Sequence, residues 1–359
     1  MKGSVRRRSR NSWEITVDVG VDPQGRRLRR YFHVKGRKAE AERKLREMLT
    51  ALDKGVPVDT SKITVSELLD RWYSDYVVPN TKPRTAESYE VIIRVHLKPH
   101  LGLLQLAKLQ ALQIQAMESA LLRDGKSAKT VLNVHRVLRE ALEQAMRWGL
   151  IWRNTAQLVD PPRPEKSRPK VPSPAEVWRI LALAKETPYY PACHFMAFTG
   201  CRRGECLGLK WGNVDLDKGI ASIVETVQRV KGRGLIFDTP KSASSRRAIA
   251  LDSEAMDVMR THRLEQLQQR LLLGNRWDDF DLVFPGPFGR PLDPSVLTHT
   301  FEGLTKKAGV KGVRLHDLRH FHASLLLQMQ VHPKVVQERL GHATISITLD
   351  TYSHLIPSM

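Results

Sequence analysis

Apolar and polar side chains alternate through Trp13-Glu14-Ile15-Thr16-Val17-Asp18-Val19, the period of a strand with one buried face. Asp22-Pro23-Gln24-Gly25 then reads as a turn, and Arg29-Arg30-Tyr31-Phe32-His33-Val34 as a second strand. From Ala39 to Leu52 the period becomes helical. Residues 62 to about 158 keep that period; Val131, Val134, Leu138, Leu142 and Ala145 make one apolar stripe, and Pro83-Arg84-Thr85-Ala86-Glu87-Ser88-Tyr89 reads as a capped helix start.

Six prolines among charged residues between Val159 and Pro174 predict an extended linker, because proline restricts both itself and its predecessor. Beyond it the pattern is helical, interrupted by a strand-rich patch from Gly219 to Leu251 with strands at Leu235-Ile236-Phe237 and Ala248-Ile249-Ala250-Leu251. Gly341 is placed to cap a helix beginning near Pro333, and a short helix follows from Ser346. The expected fold is multidomain and mainly α with small β elements. The boundaries fall at 1–58 (a small sheet plus helix), 59–160 (a helical bundle), 161–174 (linker) and 175–359 (mixed α+β).

Charge narrows the partner. The chain has 58 Lys and Arg against 38 Asp and Glu, a net +20, and 359 residues are enough for two or three cores. Residues 1 to 50 alone hold fifteen basic residues against six acidic ones. Such a surplus favours a polyanion, with nucleic acid first, although a basic enzyme of another kind is not excluded by charge alone. The clusters Arg6-Arg7-Arg8 and Arg26-Arg27 with Arg29-Arg30 are the candidate N-terminal DNA contacts. Three cysteines, Cys193, Cys201 and Cys206, are too few and too irregular for a disulfide scaffold or a zinc site. No apolar run has the length of a membrane span, so a soluble intracellular protein is expected.

The chemistry-bearing residues lie late in the chain. Thr199-Gly200-Cys201-Arg202-Arg203-Gly204-Glu205 puts Arg202 near a helix start after a glycine bend, with Glu205 about one turn on. Leu315-His316-Asp317-Leu318-Arg319-His320 places His316 and Arg319 on one helix face, with Leu315, Leu318, Leu325, Leu326 and Met329 on the other. Leu340-Gly341-His342 and Thr351-Tyr352-Ser353-His354 follow. Two guanidinium forks match the non-bridging oxygens of a phosphodiester, and a tyrosine hydroxyl can attack its phosphorus. His322 falls on the apolar side and reads as a core histidine, and His354 as support for the last helix.

The ordered set Arg202, Lys241, His316-x-x-Arg319, His342, Tyr352 resembles the tyrosine recombinase (phage integrase) family. The resemblance implies Tyr352 as nucleophile, forming a 3′-phosphotyrosyl link, and Arg202 and Arg319 as the phosphate clamp. Glu205 would orient Arg202, and His316 would take or share the tyrosyl proton. His342 would donate to the phosphate, and Lys241, in Pro240-Lys241-Ser242-Ala243-Ser244-Ser245-Arg246-Arg247, would sit at a hairpin tip and protonate the 5′-oxygen. It also implies an arm-type DNA-binding domain, a SAM-like core-binding domain, double-stranded attachment-site DNA as partner, a tetramer on DNA and accessory directionality or DNA-bending proteins. The expected task is integration or excision of a mobile element such as a phage in a bacterial cytoplasm, with no cofactor, ATP or metal. A type IB topoisomerase-like enzyme and a non-catalytic DNA-binding regulator are the alternatives.

Two other motifs fail on inspection. Gly125-Lys126-Ser127 would need a glycine at position 120 to complete a phosphate-binding loop, and that residue is Ala120. Asp278-Asp279-Phe280-Asp281 reads as a polar loop ahead of Leu282-Val283-Phe284 rather than a Mg²⁺ site.

Overall fold

A computed structural model describes residues 3–9, 11–21, 27–53, 62–165, 170–238 and 246–352. The chain divides into two compact units, Met1–Lys166 and Ser167–Met359. Among the described residues no helix is long and apolar enough to cross a membrane.

The first unit opens with an antiparallel sheet of β1 (Gly3–Ser9), β2 (Ser12–Val21) and β3 (Arg27–Lys35) in that order. The alternation predicted for Trp13 to Val19 is realised on β2: Ile15 and Val17 are fully buried, with Ala41, Leu45 and Leu49 of α1 (Lys38–Asp53) packed in the same cluster. β1 was not expected as a strand. It carries Arg6, Arg7 and Arg8, so this cluster lies within the sheet rather than beside it. Arg8 pairs with Glu14, and the Arg7 guanidinium lies over the Trp13 ring. Arg29 is exposed on β3; Arg27 and Arg30 belong to the same strand. Arg26 and the turn Asp22 to Gly25 lie outside the described residues.

A separate helical core follows in the same unit. α2 (Val65–Trp72) starts at a capping box in which the Thr64 side chain accepts from the Glu67 N–H while Glu67 accepts from the Thr64 N–H. It continues through a π-helical turn, Tyr73–Val77, into α3 (Val78–Asn80). α4 (Pro83–Ile92) has proline in its first turn and runs through a second π-helical turn to α5 (Lys98–Leu101). α6 (Ala111–Arg123) and α7 (Ala128–Arg147) meet at Gly125, whose φ of +78° suits glycine, and Ser127 caps α7. The Gly125-Lys126-Ser127 motif is therefore a helix-to-helix turn. The predicted α7 stripe of Val131, Val134, Leu138, Leu142 and Ala145 is buried throughout.

In the second unit, Pro174 is the first residue of α8 (Pro174–Ala184), which makes the expected linker one residue shorter at that end. α9 (Tyr190–Thr199) ends at Gly200, and α10 (Arg203–Leu207) starts directly after Arg202. The strand-rich patch forms two sheets. β4 (Val214–Asp215), β5 (Ile220–Ile223) and β8 (Arg247–Ala250) make one, and β6 (Thr226–Val230) and β7 (Gly234–Asp238) make the other. β7 thus pairs with β6 and β8 with β5 rather than with each other, and residues 239–245, with the expected hairpin tip, lie outside the described residues. Helices α11 (Ser253–Leu273), α12 (Pro294–Lys307), α13 (Asp317–Gln328), α14 (Pro333–Leu340) and α15 (Ile345–Tyr352) complete the unit. Leu315 and Leu318 join its main core, but Met329 is two-thirds exposed because it follows the end of α13. Asp278 and Asp279 pair with Arg290 and Arg270, and Asp281 accepts from the Gly212 N–H, which accounts for the acidic loop.

Candidate active site

The last turn of α14 organises the site. Helix C-termini leave carbonyls without intrahelical partners, and the negative end of the helix dipole favours cations there. Three consecutive carbonyls each accept from a different arginine. Arg339 O takes Arg247 Nε at 2.6 Å, Leu340 O takes Arg319 Nη2 at 2.7 Å, and Gly341 O takes Arg202 Nη2 at 3.3 Å. Gly341 ends the helix at φ +68°, and His342 follows at once. Elements distant in sequence are fixed to one helix end.

Glu205 holds the first arginine. Its Oε1 accepts from Arg202 Nη1 at 2.7 Å and its Oε2 from the Arg202 backbone N–H at 3.0 Å. Oε2 also accepts from Arg247 Nη2 at 2.9 Å. Glu205 is 3 % exposed. Burial acts to raise its pKa, but the two guanidiniums, Arg247 foremost, hold it below the ordinary value. The expected Glu205–Arg202 contact is present, and Arg247 joins it.

Arg319, on the first turn of α13, is buried and donates Nη1 to Gly200 O at 2.7 Å as well as Nη2 to Leu340 O. Burial, then the nearby Arg202 charge, bring its pKa down to about 10, so it stays a cation at neutral pH. Two of its five donors go to backbone carbonyls.

Tyr352 ends α15 and is 1 % exposed, packed with Ala323, Leu327, Val336 and Leu340. Burial pushes its hydroxyl up to about 12. The hydroxyl lies 2.5 Å from His320 Nδ1. The imidazole in contact with the tyrosine is thus His320, one helical turn beyond His316. His316 is exposed, its ring meeting His320 edge-on at 5.3 Å, and packing around it together with Arg319 lowers its pKa.

His342 Nδ1 is 2.8 Å from Thr348 Oγ1, and its backbone is tied both ways to Gln337. Burial, then Arg319 and Arg202, lower its pKa to about 3, so the ring is neutral. With Thr348 as donor, the remaining hydrogen sits on Nε2, the tautomer a phosphate oxygen requires. His322 is buried as expected of a core residue and accepts from Arg339 Nε at 2.9 Å. Lys241 and His354 lie outside the described residues.

Arg202, Glu205, Arg319, His316, His342 and Tyr352 thus belong to one connected neighbourhood. Reading the chain missed His320, Arg247, Arg339 and Thr348. Only His320 carried a signal, its i+4 spacing from His316 on the same helix.

Comparison with known proteins gives the family. Residues 172–358 match the phage integrase family and residues 64–122 match the phage integrase N-terminal SAM-like domain. A "Tyrosine recombinase XerC-like" protein of Caldanaerobacter subterraneus subsp. tengcongensis is 30% identical over 96% of this chain and 93% of its own length. The ICEBs1 integrase of Bacillus subtilis is 24% identical over 99% and 96%. In fold, the chain is similar to the Tn1549 transposon integrase in complex with a circular intermediate DNA, with TM-score 0.70, 21% identity and coverage of 81% and 95%. A lambda integrase tetramer bound to a Holliday junction gives TM-score 0.63 and 18% identity, with coverage of 99% and 96%. The chain belongs to the phage integrase family of tyrosine recombinases. It is a site-specific recombinase that cleaves and rejoins DNA strands, of the type that integrates mobile elements.

Proposed function

We propose that Tyr352 is the nucleophile of this recombinase, attacking the scissile phosphorus to give a 3′-phosphotyrosyl link and a free 5′-hydroxyl. The observation that carries the reading is the Tyr352 hydroxyl seated in contact with His320, on the helix that also carries Arg319. Arg202 and Arg319 bind the non-bridging oxygens and balance charge in the transition state. Glu205 positions Arg202; His316 and His342 donate to the phosphate; Lys241 gives a proton to the 5′-oxygen. Tyr352 is covered, so the phosphate reaches it only once the packing over its hydroxyl opens.

The wider reading is that residues 1–58 bind arm-type DNA through the Arg6-Arg7-Arg8 and Arg26-Arg27, Arg29-Arg30 clusters. Residues 59–160 grip the core site, 161–174 link, and 175–359 catalyse. A tetramer on attachment-site DNA is the working assembly, in keeping with the lambda integrase tetramer on a Holliday junction. Accessory directionality or DNA-bending proteins set the direction, in the cytoplasm of a bacterial host.

Tyr352→Phe tests the assignment on a nicked suicide duplex, where a covalent adduct accumulates. The variant should bind the site as the parent does and form no adduct. A denaturation-stable adduct in Tyr352→Phe would remove Tyr352 from this role.

A further inference from the structure

We infer that His320, and not His316, takes the proton from Tyr352 during strand cleavage; this rests on Tyr352 being the nucleophile. The two imidazoles lie one turn apart on the same chain segment and face different surroundings. His316 is exposed, and no described residue hydrogen-bonds its ring, which leaves it open to a phosphate. His320 is half-buried, turned towards α15, with Nδ1 2.5 Å from the Tyr352 oxygen.

The proposed role sets the tautomer. For Nδ1 to accept, neutral His320 carries its hydrogen on Nε2. Burial and then His316 lower its pKa to about 4, with Arg319 and Arg314 acting the same way against Asp317. The ring is therefore uncharged at neutral pH, and in that tautomer its Nδ1 lone pair can accept. Between an isolated phenol and this imidazole, transfer is uphill. It becomes favourable as the tyrosyl oxygen bonds phosphorus, because an aryl ester oxygen has lost its basicity.

In cleavage the bond from the Tyr352 oxygen to phosphorus forms and the bond from phosphorus to the 5′-oxygen breaks. The tyrosyl proton goes to His320 Nδ1, and the departing electron pair on the 5′-oxygen takes a proton from a different donor, Lys241 in the reading above. In rejoining, the incoming 5′-hydroxyl loses its proton to that amine, and the His320 imidazolium returns its own to Tyr352. Protons and charges balance over the two steps.

Single-turnover cleavage of the suicide duplex by the full chain tests this. Asparagine Oδ1 takes the place of Nδ1 as an acceptor but cannot keep a proton, so His320→Asn separates holding the tyrosine from deprotonating it. His320→Ala and His320→Asn should each slow cleavage by roughly 10²-fold or more with site binding intact. Added imidazole should restore His320→Ala. A substrate with sulfur at the 5′-bridging position needs no protonation of its leaving group; it should restore Lys241→Ala and leave the His320 variants slow. Near wild-type cleavage by His320→Asn, lack of imidazole rescue in His320→Ala, or rescue of His320→Ala by the sulfur substrate would each overturn the proposal. If Tyr352→Phe is inert while the His320 variants stay active, only the His320 role falls. An adduct in Tyr352→Phe instead removes the nucleophile assignment itself.

Discussion

Arg247 Nη2 donates to Glu205 Oε2 at 2.9 Å, and both side chains are almost wholly buried. Because Arg247 Nε also donates to Arg339 O, one guanidinium joins β8, α10 and the end of α14. Arg202, the exposed partner of the same carboxylate, is thereby held from behind. A lysine keeps the charge but lacks the fork that makes both bonds.

Arg247→Lys should therefore fold and bind DNA, yet cleave more slowly than the parent. Arg202→Ala sets the lower limit, a loss of roughly 10²-fold or more. Arg247→Met should in addition destabilise the unit by about 3–5 kcal/mol, since it breaks a buried ion pair and leaves the carboxylate with one partner. Comparing a phosphodiester with a neutral methylphosphonate at the scissile position separates the two effects. A misplaced clamp penalises the charged substrate more, whereas general damage to the fold slows both equally.

Much of this was legible in the chain for physical reasons. A strand with one buried face must alternate, as Ile15 and Val17 do, and a helix ending in the left-handed region calls for glycine, as at Gly341. Short-range spacing likewise put His316 and Arg319 together. β1 was not legible because Val5 is its only apolar residue apart from glycine; backbone pairing to β2 makes it a strand. Nor does Arg246-Arg247 say which arginine turns inward; that depends on the register of β8 against β5 and on the carboxylate 42 residues upstream. The pairing of β7 with β6 instead of β8 was hidden for the same reason. Non-local pairing leaves little trace in local pattern.

Gly200 is a tight point in the site. Its φ is +64°, and a Cβ there would sit 2.6 Å from Leu340 Cδ2 and 2.9 Å from His322 Cδ2. Gly200→Ala should destabilise the protein by more than about 1 kcal/mol, combining a left-handed backbone with a clash. Gly200 O also receives Arg319, so cleavage should fall beyond what the lost folded fraction explains. Urea unfolding and single-turnover cleavage of the same preparation measure both.

Acid should loosen this unit well above the range of ordinary carboxylates. His320 is lowered to about 4, and His322 and His342 to about 3, burial being the largest cause in each. Unfolded, each imidazole returns to about 6.5. Between those values the unfolded chain binds more protons, so stability is full above about pH 6.5 and is lost progressively as pH falls towards the folded values. Thermal midpoints should drop from pH 7 to pH 5. His322→Gln can still accept from Arg339 but does not titrate, and should make that slope shallower. An unchanged slope would show that His322 does not contribute.

The N-terminal sheet has a core of its own, Ile15, Val17 and Ala41 with partly buried neighbours, distinct from the helical core that follows. Its first strand presents Arg6, Arg7 and Arg8 at the sheet edge, and Arg29 is exposed on its third. Clustered cations on a small folded scaffold bind duplex DNA mainly through phosphates, with counterion release and a steep dependence on salt. A second DNA-binding module on one chain raises the effective concentration of one DNA segment at the other. A chain starting at Ser61 should therefore keep Tyr352-dependent cleavage of core-site DNA while losing efficient integration of a full attachment site. The isolated piece, residues 1–58, should bind short duplexes at low salt and release them as salt rises. Replacing Arg6 and Arg29 together should lower the slope of log affinity against log salt by roughly one unit per lost phosphate contact. If the isolated piece binds no DNA at low salt and the shortened chain integrates at full efficiency, the sheet has no part in DNA recognition.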